Sequence, residues 1–288
     1  MHRPIMSVLL AAALAAAPLV ATGQGAAAPP ESTARQQAQV EPLLVALGLD
    51  ALLPVMRQEG LAHADDLARD MLPGRGGARW DALVDEIYDV DRMRRIMRAS
   101  VAADLPEEAV APLLAFFTSE LGERVVGLEV SARRALLDEA VEEASHDALR
   151  DLRAGDSPRL TVIESFVEAN DLVEMNVVGA LNSNYAFYQG LSAGNAFDGE
   201  LSEEEMIRDV WNQEAQIRAD TRQWVYSYLA MAYRPLTDAE IDRYTALSLT
   251  PEGQALNTAL FAGFDRMFGT ISRELGLAAA QLMSGEDI

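Results

Sequence analysis

The sequence predicts an all-α fold, a helical bundle built from two divergent tandem copies of a multi-helix unit. Three observations carry this expectation. From Glu41 onward apolar residues recur at spacings of three and four, and no alternating pattern of the kind a half-buried strand needs persists. Helix-start chemistry recurs along the chain: Ser157-Pro158, Ser202 with Glu205, Thr237 with Glu240, and Thr250-Pro251. One segment in the second half also overlays one in the first, without a gap, at an offset of 131 residues.

The chain opens with His2 and Arg3, followed by an Ala- and Leu-dense apolar stretch from Ile5 to Ala21. Small residues at Ala21 and Gly23 then suit a signal peptidase, so residues 1–23 read as a secretory signal peptide. After its removal no segment reaches the roughly 18 apolar residues that a membrane helix needs, so no stable span is expected. Residues 24–40, rich in Ala, Pro, Gln and Ser, read as a flexible N-terminal segment. Copy one then covers 41–153 and copy two 159–282, parted at Ala154-Gly155-Asp156-Ser157-Pro158. Loops are expected mid-copy, at Pro73–Gly77 and Ser192–Asn195.

Two apolar stripes mark buried helix faces. One is Leu260, Phe264, Met267, Phe268, Ile271 and Leu275; the other is Val126, Val130, Leu137, Val141, Ala144 and Ala148, read as one helix face. The offset pairs Leu105 with Leu236, Ala115 with Ala246, Ser119 with Thr250, Gly122 with Gly253, and Trp80 with Trp211. The shared unit is a capped helix, a Ser/Thr break, then a Gly in the first turn of a longer helix. The hydroxyl caps the second helix, and the side-chain-free Gly allows a close approach.

Composition narrows the chemistry. The 288 residues include no Cys, three His, and 23 basic residues, all of them Arg, against 45 Asp and Glu, for a net charge of −22. Disulfides, thiolate ligands, a Cys nucleophile, a Schiff-base Lys and a phosphate-loop Lys are all excluded. Such a charge repels nucleic acid and anionic headgroups, within a Debye length of roughly 8 Å. Export without Cys suggests the periplasm.

The segments Asp85–Met93, Leu113-Leu-Ala-Phe-Phe-Thr-Ser-Glu-Leu-Gly122 and Leu128–Ala144 resemble the bacterial secreted family called domain of unknown function 2059. Its pattern is an aromatic pair, a Ser-Pro-x-Gly turn and a long helix. Here Glu120 stands in the proline position of copy one, while copy two keeps Pro251 and has Leu247-Ser248 for the aromatic pair. The resemblance implies an exported, all-helical protein; it supplies no activity and no catalytic residues.

Candidate sites are few. Tyr185 and Tyr188 share one helix face, as do Trp224 and Tyr228, and Asn176, Asn182 and Asn184 lie nearby in the sequence; amphipathic rings of this kind line ligand grooves. Glu143 and His146 have the i, i+3 spacing of one half of a carboxylate-bridged metal site. Glu59 and His63 read as a surface ion pair. The Arg run Arg92, Arg94, Arg95 and Arg98 is expected to pair with the protein's own acids, such as Asp89 and Asp91. No Ser/His/Asp triad and no cofactor is implied. The expected function is non-catalytic binding of an envelope protein or a small ligand at Tyr185, Tyr188, Trp224 and Tyr228. The alternative is a carboxylate-rich helical enzyme, with a metal held by Glu143 and His146.

Overall fold

A computed structural model describes residues 30–197 and 201–284. The signal-peptide reading of residues 1–23 lies outside these residues. Among the described residues there are thirteen helices and no strand, so the protein is all-α. No single helix among them is long and apolar enough to cross a membrane.

Helix α1 (Pro30–Ala46) begins inside the segment expected to be flexible. Its second half is tied down, because Val40, Leu43 and Leu44 are buried and Gln39 Nε2 donates to Glu107 Oε1 at 2.7 Å. A turn through Gly48 leads into α2 (Leu49–Met71), and the expected loop at Pro73–Gly77 leads into α3 (Ala78–Ile87). Helix α4 (Val90–Asp104) starts where the Asp89 carboxylate accepts the Arg92 N–H at 2.7 Å. Next come α5 (Glu107–Phe117), α6 (Glu120–Ala135) and α7 (Glu139–Ala154). The second half holds α8 (Pro158–Ala169), α9 (Leu172–Ala193), α10 (Glu203–Trp211), α11 (Glu214–Ala232), α12 (Asp238–Ser248) and α13 (Pro251–Ser284). Both expected capping boxes form, at Ser202/Glu205 and Thr237/Glu240, each satisfying N–H groups that a helix start leaves open.

The stripe from Val126 to Ala148 is not one helix face. Its period carries across a break, because Asp138 accepts the Ala140 N–H at 2.9 Å and starts α7. Val126 and Val130 are buried, whereas Leu137, Ala144 and Ala148 are exposed. A short polar side chain able to cap outcompetes apolar periodicity here. The C-terminal stripe does lie on one helix: Leu260, Phe264, Met267, Ile271 and Leu275 are buried along α13.

At 34 residues, α13 is about 51 Å long, and it packs against α2, α3, α4, α5, α9 and α12, elements from both halves of the chain. A single cluster of buried apolar residues runs from Val40 to Leu282. Along α4 the contact is polar at both ends. Arg92 forms a two-pronged pair with Glu274, and Arg266 bonds Ser100 and Asp104. Along α9 it is a backbone-to-backbone crossing. A Cβ on Gly190 would lie 2.0 Å from Arg273 O, and one on Gly276 would lie 2.2 Å from Phe187 O.

The two Ser/Thr breaks share local geometry. Ser119 Oγ accepts the Gly122 N–H at 3.2 Å and donates to Phe116 O at 2.6 Å; Thr250 Oγ1 accepts the Gly253 N–H at 3.0 Å and donates to Leu247 O at 2.8 Å. A Cβ on Gly122 would lie 2.1 Å from Phe116 O, and one on Gly253 2.2 Å from Leu247 O. Each glycine thus folds its helix back onto the one before. The paired tryptophans differ. Trp80 is buried and donates to Ala64 O at 3.2 Å, whereas Trp211 is 62% exposed.

Two glycines seven residues apart on α13 are predicted to respond with opposite signs. Gly276→Ala destabilises by about 3 kcal/mol, because the new methyl meets backbone that cannot rotate away. Gly269→Ala, where nothing lies within 4 Å, stabilises by about 0.5–1 kcal/mol through helix propensity. Urea unfolding followed by circular dichroism measures both.

Candidate functional site

On α6 the inward face is Val125, Val126, Glu129, Val130 and Arg133, so an acid and a base stand in positions that apolar residues would fill. Glu129 has no solvent exposure and Arg133 has 2%. The Tyr233 hydroxyl, at the end of α11, donates to Glu129 Oε1 at 2.6 Å, and the Tyr228 hydroxyl donates to the Glu129 carbonyl at 3.1 Å. The other carboxyl oxygen, Oε2, has no hydrogen-bond partner. Burial pushes the Glu129 carboxyl up to about 8, against the smaller opposing pull of the Tyr233 hydrogen bond. It is therefore mostly protonated at neutral pH. The buried phenols of Tyr228, Tyr233 and Tyr244 are all held well above their ordinary range by desolvation, with the Glu129 charge adding to it.

One turn along, Arg133 grips Glu59 of α2 with two bonds, Nε–Oε1 at 2.9 Å and Nη2–Oε2 at 2.6 Å. Its guanidinium lies 6.0 Å from the centre of the Trp224 ring, which stacks on Tyr228 at 4.9 Å. Glu59 is therefore paired with Arg133 and not with His63. His63 is largely buried, its Nε2 has no partner, and desolvation lowers its pKa, so the ring is neutral at physiological pH. The result is a polar seam joining α2, α6 and α11. It holds a proton at Glu129 inside a helix interface, flanked by Phe166 against Tyr233 (5.4 Å) and Tyr244 (4.9 Å).

A second feature opens to water. Tyr185, Gln189, Ser192 and Ala193 of α9, Glu203 and Met206 of α10, and Arg273 of α13 line a cavity of about 360 Å³. The Tyr185 hydroxyl donates to Glu203 Oε1 at 2.7 Å. A third is a largely apolar groove of about 810 Å³, where Pro42, Val45 and Ala46 of α1 face Leu114 of α5 and Val126 of α6.

The four aromatic residues expected to share one groove are divided between two places. Tyr185 lines the open cavity, and Tyr188 packs on Phe197 beside the small apolar cluster of Val177, Leu181, Val210 and Ile217. Trp224 and Tyr228 belong to the polar seam, and Tyr228 is 3% exposed, so its ring serves the interior. Of the nearby amides, Asn182 bonds Asp265 and Asn184 bonds Gln213. Glu143 is exposed and His146 half-buried on α7, and no group of three or more potential metal ligands forms among the described residues. The Arg run does pair with the protein's own acids, but with distant ones. Arg92 meets Glu274, Arg94 meets Glu41 and Asp50, and Arg98 meets Glu41, while Asp89 is used as a helix cap. No protein-family model, curated protein or solved structure matches the chain.

The Glu129 environment predicts a specific pH dependence. Its folded-state pKa lies above the unfolded value, so its contribution to stability is full below about pH 4.5 and is lost as pH rises towards 8. His63, with a lowered pKa, acts in the opposite sense below its ordinary 6.5, which leaves about pH 6.5 to 8 as the clean window. There unfolding free energy falls with pH from this one group, by about 1.4 kcal/mol per pH unit near pH 6.5 and about half that near pH 8. Glu129→Gln is expected to flatten that slope. Tyr233→Phe removes the donor to Oε1 and costs about 1–3 kcal/mol. Urea titrations at several pH values test both; a Glu129→Gln profile parallel to the parent would contradict the assignment.

Proposed function

We propose that this chain is exported to the periplasm and acts there as a non-catalytic binding protein, taking a small ligand at the cavity bounded by α9, α10 and α13. The observation that carries this reading is the cavity itself. It is open to water, and a phenol, an amide, a hydroxyl, a carboxylate and a guanidinium converge on it beside the apolar side chain of Met206. Small-molecule recognition requires a concave site with a few convergent polar groups, and this cavity, as polar as it is apolar, sits at the lower end of the usual size range. The short basic start, the apolar run from Ile5 to Ala21 and the small residues at Ala21 and Gly23 support export.

On the same reading the chain is a duplicated helical unit related to the secreted family that its Leu113–Gly122 segment resembles. The matching hydroxyl caps and glycine contacts at Ser119–Gly122 and Thr250–Gly253, separated by 131 residues, support duplication. The unlike settings of Trp80 and Trp211 mark where the copies have diverged. The apolar groove between α1, α5 and α6 is a second surface that a partner protein could cover.

A native mass spectrum of the protein recovered from its own periplasm tests this directly. The expected result is a chain lacking about the first 23 residues and carrying an additional small-molecule mass that is lost on unfolding. An unprocessed chain found in the cytoplasm would overturn the export reading, and a bare mass that no extract of small molecules changes would overturn the binding reading.

A further inference from the structure

The ligand class follows from two charges that face one cavity without meeting. Glu203 and Arg273 both line it, yet no ion pair joins them, and neither forms one with any other described residue. Some charges elsewhere in the chain are closed off by a partner. Arg218 closes onto Glu174 with two bonds at 2.6 and 3.0 Å, and Glu274, the residue after Arg273, is taken by Arg92 of α4. Each cavity charge is positioned by structure already described. Glu203 is the first residue of α10, behind the Ser202/Glu205 capping box, and Tyr185 holds its carboxylate at 2.7 Å. Arg273 lies on the α13 turn whose carbonyl meets Gly190 at the crossing, next to Gln189 of α9.

From this geometry we infer that the cavity binds a small zwitterion, a free amino acid or dipeptide, with its carboxylate on Arg273 and its ammonium on Glu203. The proposal rests on the binding reading given above and names the ligand for it. A guanidinium offers a carboxylate two parallel donors. A carboxylate that keeps one oxygen on Tyr185 has the other to accept from an ammonium. Gln189 and Ser192 supply a donor and acceptors for a peptide group, and Met206 supplies an adaptable apolar contact for a side chain. A doubly charged but neutral ligand also suits a protein of net charge −22, because it approaches without the repulsion that a net anion would meet.

The test is calorimetric titration of the mature protein with the dipeptides Ala-Ala and Ala-Leu, each also in N-acetylated and C-amidated form. Blocking either terminus is expected to weaken binding about ten-fold or more, the loss of one charge-assisted contact. In Arg273→Met the amide is expected to bind as well as the free acid, and in Glu203→Gln the acetylated form as well as the free amine. That pairing of variant with blocked terminus separates recognition from a general loss of folding. Equal binding of free and blocked peptides, or variants that leave the terminal preferences unchanged, would overturn the proposal. Should the dipeptides not bind while a periplasmic extract still loads the protein with a small molecule, the zwitterion assignment falls and the binding reading stands; if the extract fails as well, both fall.

Discussion

How closely α9 and α13 can approach governs the rest of this structure. Gly190 and Gly276 each present bare backbone to the other helix, so the helices meet at a distance that any side chain would forbid. That contact is close, and its stabilisation comes from many weak dispersion contacts that vanish together if the helices part. Because α13 also packs on α2, α3, α4 and α5, the same helix that clasps α9 carries the core into the first half of the chain. The aromatic set repeats this linkage. Phe116 and Phe117 of α5 meet Tyr244 of α12 at 5.7 and 6.2 Å, and Tyr244 in turn meets Phe166 of α8. The open cavity is a by-product of the crossing, since Gln189 and Arg273 flank the glycine contact.

Charge is used sparingly inside and freely outside. An excess of acid leaves many carboxylates available, and Arg92, Arg94, Arg124, Arg159 and Arg266 tie helices distant in sequence. Exposed pairs of this kind contribute little to stability individually, but they select register between helices whose apolar faces alone would slide. The interior uses a different device. At the interface of α6 with α11 a carboxyl is kept neutral by burial and hydrogen-bonded by a phenol. That arrangement costs less than a buried charge and specifies the pairing of these two helices by direction as well as by shape.

Much of this was legible in the chain and some was not, for identifiable reasons. The capping boxes, the Ser157-Pro158 start and the α13 stripe are local signals, and local structure follows them. The break at Asp138 was hidden because apolar spacing continued across it. The early start of α1 was hidden because Ala, Gln and Glu are as much at home in a helix as in a solvated tail. Glu129 carried a readable signal, being an acid between Val126 and Val130 in the register of a buried stripe, where a charged residue needs a special reason. The cavity was only half legible. Tyr185 pointed to it, but Arg273 reaches it through a helix crossing some eighty residues away in sequence, and no local pattern reports that. Trp224 and Tyr228 do stack on one face of α11, but that face turns to Arg133 of α6 and away from Tyr185 and Tyr188 on α9.

The central claim is that α13 joins both halves of the chain into one cooperative core. Differential scanning calorimetry of the protein tests it most directly. One transition is expected, with equal calorimetric and van't Hoff enthalpies, and with Trp80 in the first half and Trp224 in the second melting together. Two separable transitions, or a first half that melts while the α9–α13 pair remains folded, would contradict it.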